Sequence, residues 1–192
     1  MSDSIGTLPL DREAAWALLC EWTKSESLRG HALGVEAAMR AYAQTLGGDP
    51  ELWGITGLLH DMDYERYPDP ADHPGRGVAV LRELGCPEEM CEAILGHAEY
   101  TGVPRRTPMA KALFAVDEVV GLVTAVALVR PSKQLADVKV SSVTKKFKDR
   151  AFARGCDRDL IQQGCDELGV ELNEHIGRVL EAMKPIAPQL GL

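Results

Sequence analysis

Apolar residues recur three and four positions apart along most of the chain, and helix start and stop signals bound each recurrence. Asp11, or the residues just before it, can cap a helix carrying Ala14, Leu18 and Trp22. Ser27 can cap a second, with His31, Val35, Met39 and Tyr42 in register, and Gly47-Gly48 ends it. Asp49-Pro50-Glu51 reads as cap, first helical residue and first-turn acid of a third, which carries Trp53, Ile55, Leu58 and Leu59 into His60-Asp61. Met62–Asp72 holds two prolines and several acids and is expected to be a loop or one short turn. Further helices are expected over about 73–84, 87–97, 108–128, 143–154, 158–168 and 172–183. Only Ala136–Val143 alternates like a strand, and it is short. The pattern predicts an all-α bundle of about eight helices. Its core spans about 27–128 and a C-terminal helical extension spans about 139–187. The whole of 1–192 is expected to be one domain, with Pro131–Val138 as the break between core and extension.

Composition narrows what such a bundle does. The 192 residues are 45% hydrophobic and 26% charged, ordinary values for a folded domain, and enough chain to bury a core without staples. A net charge of −8 and an aromatic content of 5% argue against nucleic acid and anionic lipid as partners. Met1–Leu10 has neither a basic region nor a long apolar run, so no signal peptide is expected. The most apolar stretch, Met109–Val129, contains Lys111, Asp117 and Glu118, which argues against a membrane span. Cys20, Cys86, Cys91, Cys156 and Cys165 are odd in number and lack CxxC spacing. They read as reduced thiols of a cytoplasmic protein, not a zinc finger.

The chemistry gathers in one set: His31, His60-Asp61, His73, His97 and Asp117. Each has an ordinary reading. His60-Asp61 can be a solvated helix end. Asp117 and Glu118 can mark the wet stripe of their helix, although the apolar run around them favours burial, where an unpaired carboxylate is costly. A lone histidine is more often satisfied or exposed than a ligand. Together they offer imidazole and carboxylate from five helical segments, a donor set that suits Fe, Mn, Co, Ni or Zn better than Mg or Ca. His175, beside Glu174 in a polar helix, reads as surface.

The order His31, then His60-Asp61, then Asp117 resembles the H…HD…D signature of the HD-domain superfamily of metal-dependent phosphohydrolases. The intervals are 29 residues to the doublet and 56 from Asp61 to Asp117. His73 and His97 extend the likeness to the subset patterned H…HD…H…H…D, which holds two metals. The resemblance implies a helical HD-domain-like fold and two divalent transition ions. His31, His60, Asp61 and Asp117 would hold the first, and Asp61, His73 and His97 the second, with Asp61 bridging. It implies His60 and Asp61 as catalytic residues in hydrolysis of a nucleotide or other small phosphorylated metabolite by a metal-generated hydroxide. Asp63 or Glu99 would shuttle a proton. The GYP motif of cyclic-dinucleotide hydrolases is absent. So is the lysine that some dinuclear relatives place shortly after the doublet; Arg66 is the nearest cation there.

Other cations are therefore candidates for binding substrate phosphate. Arg76 follows His73 by three residues near a helix start, and Arg105-Arg106 follow His97. Lys145, Lys146 and Lys148 belong to a basic run that is either a solvated helix face or a clamp over the metals. Two other functions stay open: a di-iron oxygenase of the same superfamily, and a non-catalytic nucleotide-binding helical module. No P-loop, dinucleotide fingerprint or nucleophile-histidine pairing competes with them.

Overall fold

The computed structural model describes residues 8–192. Of the Met1–Leu10 segment, which the sequence gives no reason to read as a signal peptide, the first seven residues lie outside the described residues. The chain is all-α, and no strand occurs among the described residues. In chain order the helices are α1 (Arg12–Trp22), α2 (Glu26–Leu46), α3 (Pro50–Leu59), α4 (Gly75–Glu83), α5 (Glu88–His97), α6 (Pro108–Leu128), α7 (Val140–Lys148), α8 (Arg158–Leu168), α9 (Leu172–Met183) and the single turn α10 (Ala187–Leu190).

Capping explains where they begin. Asp11 accepts from Ala14 N at 2.8 Å, Asp49 from Glu51 N at 2.9 Å, and Thr107 from Ala110 N at 3.2 Å with Pro108 in the first turn. α2 starts two residues earlier than expected, because Ser25 and not Ser27 is its cap and accepts from Leu28 N. The strand-like segment is a 3-10 turn (Leu135–Asp137) leading into α7. Its alternation does not sort into an inner and an outer face: Ala136 is exposed, Val138 buried and Val140 half-buried. The helix expected over 143–154 ends at Lys148. The buried Arg158 guanidinium accounts for that end by donating to the carbonyls of Lys146, Phe147, Phe152, Ala153 and Cys156, which folds 149–156 into turns.

α2 and α6, 21 residues each, form the centre of the bundle. α3 lies so closely on α2 that a Cβ at Gly57 would come within 3.0 Å of the Val35 carbonyl oxygen, a contact only glycine permits. α8 sits on α6 in the same way, where a Cβ at Gly164 would lie 2.7 Å from Ala115 Cα. One apolar core runs through both sides of the Pro131–Val138 segment. It includes Val35, Met39 and Leu58 on one side and Ile161, Ile176, Val179 and Met183 on the other. All five cysteines are free. No helix among the described residues is long and apolar enough to cross a membrane.

Candidate metal centre

The close α2–α3 packing brings His31 beside the end of α3, where His60 and Asp61 begin the turn out of that helix. α6 supplies Asp117 from the far side. His31 Nε2 lies 2.8 Å from Asp117 Oδ1, although 86 residues separate them. His60 Nε2 is 3.3 Å from Asp61 Oδ2 and 3.5 Å from Asp117 Oδ1. The other oxygen of Asp61 faces a second pair: Oδ1 is 3.3 Å from His73 Nε2 and 3.2 Å from His97 Nε2. The six residues singled out in the sequence are thus in one cluster, with the two oxygens of Asp61 divided between two histidine groups.

The imidazoles are aimed from behind. His60 Nδ1–H donates to Gly57 O at 2.8 Å, His97 Nδ1–H to Ile94 O at 2.5 Å, and His73 Nδ1–H to Asp63 Oδ1 at 2.7 Å. Each bond leaves an Nε2 lone pair facing the centre, which is how metal-ligating histidines are oriented. Asp63 is wholly buried and receives Gly77 N–H at 2.6 Å on its other oxygen. It therefore stands behind His73 as a support, and the proton-shuttle role expected for it has no route to solvent. Its position two residues after Asp61 was the signal available in the sequence.

The donor set fits a metal. His60 Nε2 and Asp61 Oδ1 are buried and have no hydrogen-bond partner. Lone pairs facing each other at 3.2–3.5 Å repel unless a cation or proton lies between them. Bonds of about 2.1 Å to one ion place its ligands about 3.0–3.4 Å apart for octahedral or tetrahedral angles, the spacing seen here. Three groups of three residues each have ligand atoms within 4.8 Å of one another: His31, His60 and Asp61; His60, His97 and Asp117; and Asp61, His73 and His97.

The electrostatics agree. Burial pushes the His60 pKa down, but Asp61 and Asp117 reverse this and hold it well above the ordinary value. Burial likewise works against His73, and the Asp61 and Asp63 carboxylates raise it to about 9. Burial opposes charge on Asp61 and Asp117 too, yet the surrounding histidines bring both well below the usual carboxylate range. The centre attracts positive charge.

Asp61, His73, His97 and Asp117 form the floor of an open cavity of about 470 Å³. Aromatic Tyr64, Tyr100 and Phe114 and acidic Glu99, Glu118 and Asp157 stand in its walls. Burial, then the neighbouring Asp117, pushes Glu118 up to about 7. The sequence reading did not single out these aromatic residues, because nothing in local spacing ties Tyr64 or Phe114 to His97.

The expected phosphate-binding cations are elsewhere. Arg76 is exposed, donates to Asp72 Oδ1 at 2.8 Å and lies over the Tyr67 ring. Lys145 and Lys148 line a separate surface depression with Thr144 and Asn173. Lys146 pairs with Asp149 at 3.2 Å and rests on the Phe152 ring. The α7 face that carries them is a solvated face, and the clamp over the metals is not formed. Arg66 donates to the carbonyls of Glu21 and Trp22, and Arg105 stacks on Phe114 while pairing with Glu167. Arg106 is exposed. His175, expected at the surface, is fully buried: Tyr42 O–H donates to its Nδ1 at 2.5 Å, and its Nε2–H donates to Ala115 O at 2.8 Å.

Residues 28–120 match the family model described as the HD domain. No curated protein matches the chain. No solved structure matches it.

Proposed function

Through residues 28–120 the chain belongs to the HD-domain superfamily of metal-dependent phosphohydrolases, and from that membership we propose that it hydrolyses a small phosphorylated metabolite at a centre of two divalent transition ions. His31, His60, Asp61 and Asp117 would hold one ion and Asp61, His73 and His97 the other. The observation that carries this reading is the division of the Asp61 carboxylate, Oδ2 toward His60 and Oδ1 toward His73 and His97.

Bound there, divalent ions would polarise phosphoryl oxygens and lower the pKa of water from 15.7 toward about 7. The protein supplies the rest. The Gly57, Ile94 and Asp63 acceptors hold three imidazoles in the tautomer that presents Nε2, so the centre needs no rearrangement to bind. His60 and Asp61 act catalytically by fixing the charge and position of the centre. Phe114 and Leu160 give the cavity apolar wall beside the floor.

The test is metal analysis of the purified protein, followed by a phosphatase screen. About two transition ions per chain are expected in the parent and about one in His73→Ala. Failure of the parent to bind metal, or an unchanged stoichiometry of two in that variant, overturns the two-ion centre. Iron in the protein with O₂ consumption and no phosphatase activity would assign the oxygenase chemistry instead.

A further inference from the structure

The charge of the cavity bears on the organic part of the substrate. Among the described residues no lysine or arginine lines it. Beyond the metal-centre residues its charged wall is Glu99, Glu118 and Asp157. Asp157 uses Oδ1 to cap α8, accepting from Asp159 N at 2.8 Å and Leu160 N at 3.4 Å. Glu118 uses Oε2 for Asp157 N–H at 3.0 Å, and Glu99 uses Oε1 for Gln163 Nε2 at 2.8 Å. One oxygen of each of these three carboxylates remains for a ligand, and those of Glu118 and Glu99 share the walls with the two tyrosines. Tyr64 and Tyr100 offer ring faces in the same walls.

An acidic wall alone would be an ordinary solvated surface. Here the floor also presents Asp61, whose Oδ1 is buried with no hydrogen-bond partner, so the cavity is built to receive a ligand. Two divalent ions, offset by Asp61 and Asp117, leave the charge that one phosphate dianion neutralises. A second or third phosphate would then lie against Glu99 and Glu118, where Arg105, 3.5 Å from Glu99 Oε1, is already engaged by Glu167 at 2.6 Å. An ammonium group there gains charge-assisted hydrogen bonds and cation–π contact instead.

We propose that the substrate is a phosphate monoester whose organic group carries a protonated amine, held by Glu118 and Glu99 beside Tyr64 and Tyr100. The phosphate end of this inference rests on the phosphohydrolase reading; the amine end rests on the cavity wall. In the reaction the oxygen of water bonds to phosphorus as the P–O bond to the organic group breaks. The leaving alkoxide takes the proton from water, giving inorganic phosphate and an amino alcohol.

The deciding pair is 2-aminoethyl phosphate and propyl phosphate, which match in size and differ in an ammonium against a methyl group. The metal-loaded full chain is assayed for turnover of both, with ADP as a third compound, and for binding by calorimetry. A preference for the amine of about ten- to a hundredfold is expected in kcat/KM and in Kd. Glu118→Gln and, on the exposed side, Glu99→Gln should each shrink that preference, and Glu99→Gln alone decides if the first variant does not fold. Equal turnover of the pair, or better turnover of ADP, overturns the amine inference and leaves the hydrolase standing. Tighter binding of the amine without turnover of any compound does the reverse. Equal binding without turnover overturns both.

Discussion

Two buried histidine groups both reach α6, and they behave oppositely. His31 and His60 meet it through the Asp117 carboxylate, and His175 meets it through the Ala115 carbonyl. His60 and His175 are both essentially inaccessible. Burial alone disfavours the imidazolium, and His175 follows that rule with a lowered pKa. At His60 the Asp61 and Asp117 carboxylates reverse the effect. The number of satisfied nitrogens separates the two sites further. His175 spends both on neutral protein partners, Tyr42 and Ala115. His60 spends one on Gly57 and leaves the other with no partner. Burial therefore does not mark a ligand histidine; an unspent nitrogen facing carboxylates does.

Substitutions on each side can break this contrast. The largest effect is expected at Asp61, shared by both histidine groups. Removing one partner from a buried ionic cluster costs about 3–5 kcal/mol, and about 4 kcal/mol in a barrier is a thousandfold in rate. Asp61→Asn should lower metal content below one ion per chain and reduce phosphatase activity about a thousandfold or more. Retained stoichiometry would remove the bridging role. At the other site, His175→Ala leaves a cavity and an unpaired Tyr42 hydroxyl. It should cost about 3 kcal/mol in urea unfolding while metal content stays at the parental value. A loss of metal there would show that the two groups are not separate.

Asp63 tests the orientation of His73 from behind. Asp63→Asn should weaken metal binding about 10- to 100-fold in a chelator competition and leave His60 in place; no change would reduce Asp63 to a packing residue. A smaller effect is expected with pH. Because the His175 pKa is lowered in the fold, the unfolded chain takes up its proton first as pH falls. The stability from His175 is therefore complete above its ordinary value of 6.5 and declines as pH drops below that. Unfolding midpoints of the parent against His175→Gln, measured between about pH 7 and pH 5, should converge on the acid side. Divergence would mean His175 is charged in the fold. The smallest effect is expected on α7. Lys145→Ala and Lys148→Ala should each change stability by less than about 0.5 kcal/mol and leave kcat/KM unchanged, as for an ordinary exposed face. A tenfold loss in kcat/KM would bring the clamp back.

Legibility followed how local the cause was. Asp49-Pro50-Glu51, Thr107-Pro108 and Asp157 start their helices through contacts two or three residues away, and α3, α6 and α8 begin where such signals place them. The sequence places α7 too late and too long, because its true end depends on Arg158 holding two carbonyls of the last helical turn and three beyond it. The apparent strand at 136–143 is a turn leading into a helix, and its alternating residues are unequally buried, with Ala136 exposed and Val138 in the core. His175 looked exposed beside Glu174 because its partner Tyr42 lies 133 residues away.

The sequence by itself determined the helical class, the caps, and the inventory of imidazole and carboxylate groups that places residues 28–120 among HD domains. These rest on interactions within a turn of helix, or on the order of residues, and neither needs a partner from afar. The tertiary structure alone decided which oxygen of Asp61 faces which histidine, that Asp63 supports His73, and that the cavity wall is acidic and aromatic with the nearby arginines engaged elsewhere. Those facts depend on the approach of α3 to α2 at Gly57 and on the rotation of α6. Helical periodicity sets a residue's angle about its own axis but not what the neighbouring helix brings to meet it.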